Sequence, residues 1–260
     1  MKHNVKSLVG YKLGATDGEI GEVKEFYFDD NTWTVRFIIV ETGDWLSGRK
    51  VLISPEALLT PDWDTKVFPV NLTKEQIKNS PDIDTEKPIS RQHEVDLYGY
   101  YRWPYDWGGG IGPGSLWAGG IGTTGMVTGN RLPLEEAIHN KNNRQENEAN
   151  QNPHLRSTDN VKGYNIEAKD GKIGDVEDFI IDESTWKIVF LLVDTGNWFP
   201  GKKVLISPQW IKDIKWETST VIVNASVDDV KNSPEYNTSQ TISESYEANL
   251  QNYYGRFISH

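Results

Sequence analysis

The residues best suited to acid–base chemistry or metal binding are five histidines, because the 260-residue chain has no cysteine. Without cysteine there are no disulfides, thiolate nucleophiles or Cys-ligated metal sites. Histidine changes its charge near neutral pH, so it is the first candidate for a general base. His93 lies in a segment that recurs later in the chain, where Tyr246 takes its place. We therefore interpret His93 as a packing residue on a helix face.

One segment matches a nucleotide-binding fingerprint in its letters alone. Gly120-Ile121-Gly122-Thr123-Thr124-Gly125 has the spacing G-x-G-x-x-G. That fingerprint binds pyrophosphate only where a strand turns into a helix and the helix N-terminus faces the phosphates. Here Trp117-Ala118-Gly119 precedes it, with no strand pattern before it and no helix signal directly after it. We interpret the segment as a spacer and expect no cofactor.

Carboxylates that recur in both halves of the chain could in principle form acid–base pairs or weak cation sites. Aspartate is also a common turn residue, because its side chain accepts hydrogen bonds from the backbone that follows it. Turn formation explains most of these positions, so we expect no catalytic residue and no metal site. The recurring carboxylates are Asp17, Asp29 and Glu41, with Asp170, Asp182 and Asp194 as their counterparts.

Two tryptophans are the candidate interface residues. Trp45 and Trp198 lie in glycine-containing turns, residues 42–48 and 195–201, where small polar residues are usual. One interpretation is a lid over the end of a sheet. The other is an exposed recognition residue, because tryptophan is enriched at the hot spots of protein interfaces. Both interpretations stay open at this stage.

Two long segments of the chain repeat each other at a constant shift of 153 residues. The correspondence runs without a gap over roughly 90 residues, which indicates a repeat architecture. We interpret the chain as a tandem duplication. The repeated motifs in the first segment are Asp17-Gly18-Glu19-Ile20-Gly21, Thr42-Gly43-Asp44-Trp45, Lys50-Val51-Leu52-Ile53-Ser54-Pro55 and Lys78-Asn79-Ser80-Pro81.

Each repeat predicts short strands joined by tight turns. Asp17-Gly18 favours a hairpin turn, because both residues tolerate positive φ. From Trp33 onward, apolar and polar residues alternate, which predicts a strand with Trp33 on its buried face. The second repeat predicts the same for Trp186, the counterpart of Trp33. Helix-start signals follow the strands, and a second helix is expected near Ser90. The capping-box pairs are Thr73 with Gln76 and Ser226 with Asp229.

The pattern predicts three segments. Residues 1–103 form a first domain with a helical tail, and residues 159–260 form a second. Residues 104–158 between them are rich in Gly and Trp and then in Asn and Gln, with too few aliphatic residues for a core. We predict a linker there. The fold class expected is mainly β, with two small barrels, each followed by a short helical appendage.

The order and spacing of these motifs resemble the PRC-barrel domain family. The resemblance rests on Asp17-Gly18-x-Ile20-Gly21, the turn from Asp29 to Trp33, Val40-x-Thr42-Gly43-x-Trp45 and Val51-Leu52-Ile53-Ser54-Pro55, all of which recur. Related barrels occur in the photosynthetic reaction-centre H subunit and at the C-terminus of a ribosome-maturation factor. The resemblance implies a small β-barrel that supports larger assemblies and has no catalytic residues to transfer.

Charge and hydropathy restrict the partners. The formal net charge is −11, and no run of several Lys or Arg occurs, so nucleic acid is not an expected partner. No apolar run approaches the ~18–20 residues that cross a bilayer. We expect a cytoplasmic, non-catalytic scaffold that binds a protein partner or itself, with a homodimer as one form. The alternative is a small molecule or an ion bound in the cleft between the two barrels.

Overall fold

The computed structural model describes residues 1–81, 89, 91–103, 154–196 and 202–258. The chain divides into two compact units. One unit combines Met1–Asn79 with His154–His260, so it holds both repeats, and the other is Ser80–Pro153. In the second unit the structure describes one helix, α3 (Arg91–Tyr101), at the place where the sequence predicts a helix near Ser90. The side chain of His93 and the glycine-rich segment 120–125 lie outside the described residues.

The first repeat contains six short strands and two short helices. The strands are β1 (Lys2–Asn4), β2 (Lys12–Ala15), β3 (Gly18–Asp29), β4 (Thr34–Glu41), β5 (Lys50–Ile53) and β6 (Val67–Pro69), and the helices are α1 (Val5–Leu8) and α2 (Lys74–Lys78). The alternation that predicted β4 is present, because Val35 and Phe37 are buried. Ile38 and Val40 are buried as well, so β4 is covered on both faces.

The second repeat follows the same order of elements with one additional strand, Ile211–Lys215. Its strands are β7 (Leu155–Ser157), β8 (Asn165–Glu167), β9 (Lys172–Asp182), β10 (Lys187–Asp194), β11 (Lys203–Ile206), β12 (Ile211–Lys215) and β13 (Thr220–Val223). Its helices are α4 (Thr158–Val161), α5 (Val227–Lys231) and α6 (Glu244–Ile258). The capping boxes predicted for α2 and α5 are both formed.

The thirteen strands found among the described residues belong to one sheet, in the order β12-β13-β8-β9-β10-β4-β3-β2-β6, with β1, β5, β7 and β11 paired beside this path. The strand pairing does not close on itself within the described residues, so the prediction of two barrels is not confirmed. In the second repeat the turn Pro208–Trp210 separates β11 from β12. Proline has no N–H to donate to a ladder, so hydrogen-bonded pairing is interrupted at this turn.

The repeats exchange their first strands. β1 pairs with β9 of the second repeat, with Lys2 opposite Asp182, and β7 pairs with β3 of the first repeat, with Leu155 opposite Asp29. β7 lies in the last residues of the segment that the sequence assigned to the linker (104–158). This strand belongs to the unit that holds both repeats and lies before residue 159, at which the second domain is predicted to begin. Three residues are too few to show a strand period in the sequence.

Gly21 marks a close approach between β3 and the end of β4. A Cβ at this position would lie 2.0 Å from the carbonyl oxygen of Glu41, and Gly174 has the same relation to Asp194. Only glycine allows the two backbones to come this near. The repeated Ile-Gly motif therefore fixes where β3 meets the turn that carries Trp45.

Candidate functional site

Trp45 lies in the short 3-10 turn Gly43–Leu46, directly after β4. Its indole N–H donates a hydrogen bond to the carbonyl oxygen of Ile20 in β3. The ammonium group of Lys74, at the start of α2, lies 4.6 Å from the centre of its ring. The side chain is half-buried. Trp45 therefore covers the start of β3, as a lid would, and still leaves part of its ring exposed.

Trp198 lies outside the described residues. The loops that carry the two tryptophans nevertheless begin and end alike. The hydroxyl of Thr42 donates to the carbonyl oxygen of Arg49 at 2.7 Å, and the hydroxyl of Thr195 donates to that of Lys202 at 2.8 Å. Both loops are thus closed by the same threonine contact.

A groove of about 440 Å³ runs beside Trp45. Four carboxylates contribute to its lining, those of Glu19, Glu22, Glu41 and Asp44. Lys24 lies 2.9 Å from Glu41 and 3.5 Å from Glu22. The hydrogen bond from Lys24 holds the pKa of Glu41 below its ordinary value. Lys12 likewise lies 3.0 Å from Glu19, so the groove is lined by carboxylates and partly neutralised by two lysines.

The recurring aspartates serve turns and helix starts. Asp17 accepts the backbone N–H of Lys74 at 2.8 Å, and Asp170 accepts that of Val227 at 2.8 Å, so each carboxylate caps a helix of its own repeat. Asp29 accepts the backbone N–H of Thr32 at 2.8 Å. This geometry explains these three carboxylates without any catalytic role.

Asp182 plays the same part in the second repeat. It accepts the backbone N–H of Ser184 at 2.9 Å. Burial acts to raise the pKa of Asp182, but the hydrogen bonds from Ser184 and Thr185 and the charge of Lys2 together hold the pKa below its ordinary value. Among the described residues, no group of three or more His, Asp or Glu side chains is placed to hold a metal ion.

The predicted burial of Trp33 and Trp186 is wrong. Both residues precede the strands β4 and β10, and both are half-buried. Their φ angles are 56° and 54°, in the left-handed region, so they belong to turns. The sequence pattern could not show this, because a bulky residue is rarely found at a turn position that glycine normally takes.

The two turns meet at a seam between the repeats, which we define as residues 33–35 and 186–188. Across it, the N–H of Val35 donates to the carbonyl oxygen of Trp186 at 2.8 Å, and the N–H of Ile188 donates to that of Trp33 at 2.7 Å. These reciprocal bonds join β4 to β10 and make the two repeats one sheet. Sequence reasoning missed the seam, because nothing in one repeat specifies which edge of the other it meets.

A cleft of about 410 Å³ opens at this seam, and we call it the seam cleft. The first repeat contributes residues 31–33 to its lining, and the second contributes residues 187–190, 207–210, 247 and 251. Asp17 and Asp170 do not contribute to it.

The PRC-barrel domain family model matches the chain twice, at residues 2–77 and 156–230. These two regions cover more than half of the 260 residues. The chain belongs to the PRC-barrel domain family. No curated protein matches it.

The PRC-barrel matches include β1 and most of β7, so the exchanged strands lie within the family's own domain. They end at residues 77 and 230, before α3 and α6. No helix in the described part of this PRC-barrel chain is both long and apolar enough to cross a bilayer.

Proposed function

We propose that this PRC-barrel protein is a non-catalytic cytoplasmic scaffold, produced by a tandem duplication, that binds a protein partner or a second copy of itself through the Trp45 and Trp198 turns. The observation that carries the proposal is the half-exposed ring of Trp45 at the edge of an acidic groove. PRC-barrel domains are generally protein-interaction modules. The gapless shift of 153 residues between the repeats supports the duplication.

The charge of the chain supports a protein partner over nucleic acid. Phosphate backbones are bound by clustered Lys and Arg, and the net charge here is −11. The groove beside Trp45 adds four carboxylates at the proposed contact. Like charges repel, so a phosphate chain would be disfavoured at this surface.

The alternative function, a small molecule or an ion bound between the two repeats, is not supported at Asp17 and Asp170. A polar pocket holding both Asp17 and Asp170 would have supported it, but each of these carboxylates caps a helix in its own repeat. The seam cleft is a different place and is considered separately below.

The test replaces both candidate interface residues, Trp45→Ser with Trp198→Ser. If they are hot spots, capture of the native partner or self-association should weaken by about 2 kcal/mol or more. Sedimentation velocity of the purified chain measures self-association, and a pull-down from native cytosol measures partner capture. Thermal melting shows whether the variant is folded.

A matched control is Leu59→Ser, because Leu59 is another large apolar residue on the surface, 50% exposed and outside the Trp45 groove. This control should leave both binding measurements unchanged. If the double variant loses melting temperature but its folded fraction still binds, the two tryptophans are lids and the interface lies elsewhere.

A further inference from the structure

The two turn tryptophans hold a backbone conformation that bulky residues rarely adopt. Trp33 has φ 56° and Trp186 has φ 54°. Glycine would take the left-handed region without strain, whereas a residue with a large side chain is an outlier there. Strain of this kind persists where the surroundings or a function compensate for it. Each ring should therefore have an identifiable role.

The ring of Trp186 is accounted for by packing across the seam. Its centre lies 6.0 Å from that of Phe68 and 6.4 Å from that of Phe26, both in the first repeat. Phe68 and Phe26 have no exposed surface. Trp186 therefore contributes to the core that joins the two repeats.

The ring of Trp33 has a different environment. Among the described residues it stacks on one other ring, that of Phe28 in its own repeat, at 5.3 Å. The residue equivalent to Phe68 in the second repeat is Val221, so that aromatic partner is replaced by a smaller aliphatic side chain. Trp33 is half-buried and contributes to the wall of the seam cleft. Among the described ring contacts, Trp33 therefore has no counterpart to the packing of Trp186 on Phe68 across the seam.

The rest of the seam cleft is suited to a flat molecule. Trp210 forms part of its wall and stacks on Tyr254 at 4.1 Å, which fixes the plane of its ring. Three amide side chains also contribute to the lining, those of Asn31, Gln209 and Gln251. Amide groups donate and accept hydrogen bonds without carrying charge. A volume of about 410 Å³ is within the range of small-molecule sites.

The charges of the seam cleft are close to balance. Glu247 contributes to the lining and lies 2.6 Å from the ammonium group of Lys2. Lys187 is exposed at the edge. Since neither sign dominates and Glu247 already has a partner, nothing in the lining selects a strongly charged ligand.

We propose that the seam cleft binds an uncharged planar heteroaromatic molecule, which stacks against Trp33 and forms hydrogen bonds with the amides of the lining. The proposal is independent of the Trp45 interface. It assigns the strain of Trp33 to ligand binding and the strain of Trp186 to packing between the repeats.

The test uses the full chain and three uncharged probes, nicotinamide, adenine and lumichrome. Ligand-observed NMR measures binding to the wild type, to Trp33→Gly and to Trp33→Phe. We expect saturable binding of at least one probe, with a Kd of about 10 µM to 1 mM, as ligands of this size allow. Trp33→Gly should weaken it at least tenfold, and Trp33→Phe should weaken it less, because a flat ring remains.

The matched controls are Trp186→Gly and Trp186→Phe. Glycine takes the left-handed conformation of both turns without strain. Trp33→Gly should lose less melting temperature than Trp186→Gly, because the ring of Trp33 stacks on Phe28 alone, whereas the ring of Trp186 packs on both Phe68 and Phe26. Trp186→Phe keeps a ring at this position and provides a folded control that should bind the probe as the wild type does. The proposal is overturned if no probe saturates below 10 mM or if Trp33→Gly binds as well as the wild type.

Discussion

At the scale of single residues, equivalent positions of the two repeats perform one task with different chemistry. Glu25 accepts a hydrogen bond from the hydroxyl of Ser157 at 2.5 Å, which ties the first repeat to the exchanged strand β7. Its equivalent, Asp178, is 2% exposed and accepts the backbone N–H of Lys6 at 3.1 Å and 3.2 Å. Each acid thus binds a residue in or next to the exchanged strand of the other repeat. Glu25 binds a side-chain hydroxyl, whereas Asp178 binds a backbone N–H.

Burial raises the pKa of Asp178, and the N–H groups of Phe179 and Lys6 and the charge of Lys162 lower it without cancelling the effect. The charge of Glu177 adds to the rise. A raised pKa means that the folded state binds the proton more tightly than the unfolded state. The contribution of Asp178 to stability is therefore fully present below its unfolded pKa and is lost as the pH rises through its folded pKa.

The variant Asp178→Asn tests whether the uncharged form of this side chain is the stabilising one. An amide keeps one acceptor for the N–H of Lys6 and has no charge to bury, so at pH 7 the free energy of unfolding should stay within about 1 kcal/mol of the wild type or rise. Asp178→Ala leaves the part-buried N–H of Lys6 without this acceptor and should cost about 1 kcal/mol or more. Urea unfolding at pH 5 and pH 7 measures both. A large loss in Asp178→Asn at pH 7 would show that the charged form is the stabilising one.

At the scale of elements, local signals in the sequence predicted local structure. The strand β4, the capping boxes of α2 and α5 and the helix α3 all depend on contacts within a few residues, and all are present. The strand exchange could not be predicted in this way. β3 and β9 have the same residue at about half of their equivalent positions. The sequence of β1 therefore contains no local signal that decides which of the two strands it pairs with.

A cysteine pair tests the exchange directly, since the chain has no cysteine of its own. Lys2 lies opposite Asp182 in an antiparallel ladder, where Cα atoms are about 4.5–5.5 Å apart, within the range of a disulfide. Lys2→Cys with Asp182→Cys should oxidise within one chain. Non-reducing electrophoresis and a thiol titration measure this.

The matched control is Lys2→Cys with Asp29→Cys, because Asp29 is the equivalent of Asp182 in the same repeat as Lys2. Both pairs remove a turn aspartate, so they differ only in the strand to which β1 is joined. The control pair should stay reduced. Oxidation of the control in place of the Lys2–Asp182 pair would place β1 on its own repeat.

At the scale of the whole molecule, the two repeats depend on each other. They share one sheet, joined at the seam, and each supplies a strand to the other. Met1–Asn79 and His154–His260 accordingly form one compact unit. Each repeat has its own strands and helices, and the first domain predicted from the sequence, residues 1–103, would on that ground be expected to fold alone. The exchange argues against that expectation, since the isolated segment would lack β7 beside β3 and would expose the seam.

We therefore expect residues 1–103 alone to aggregate or to associate with a second copy, and to lack a cooperative monomeric melt. An unpaired strand edge and exposed apolar surface favour such association. Coexpression of residues 1–103 with residues 154–260 should instead give a one-to-one complex, because the two pieces hold all the strands of the shared sheet. Size-exclusion chromatography with light scattering measures the stoichiometry, and circular dichroism measures the melt. A monomeric first piece that melts cooperatively on its own would show that β7 and the seam are dispensable for the fold.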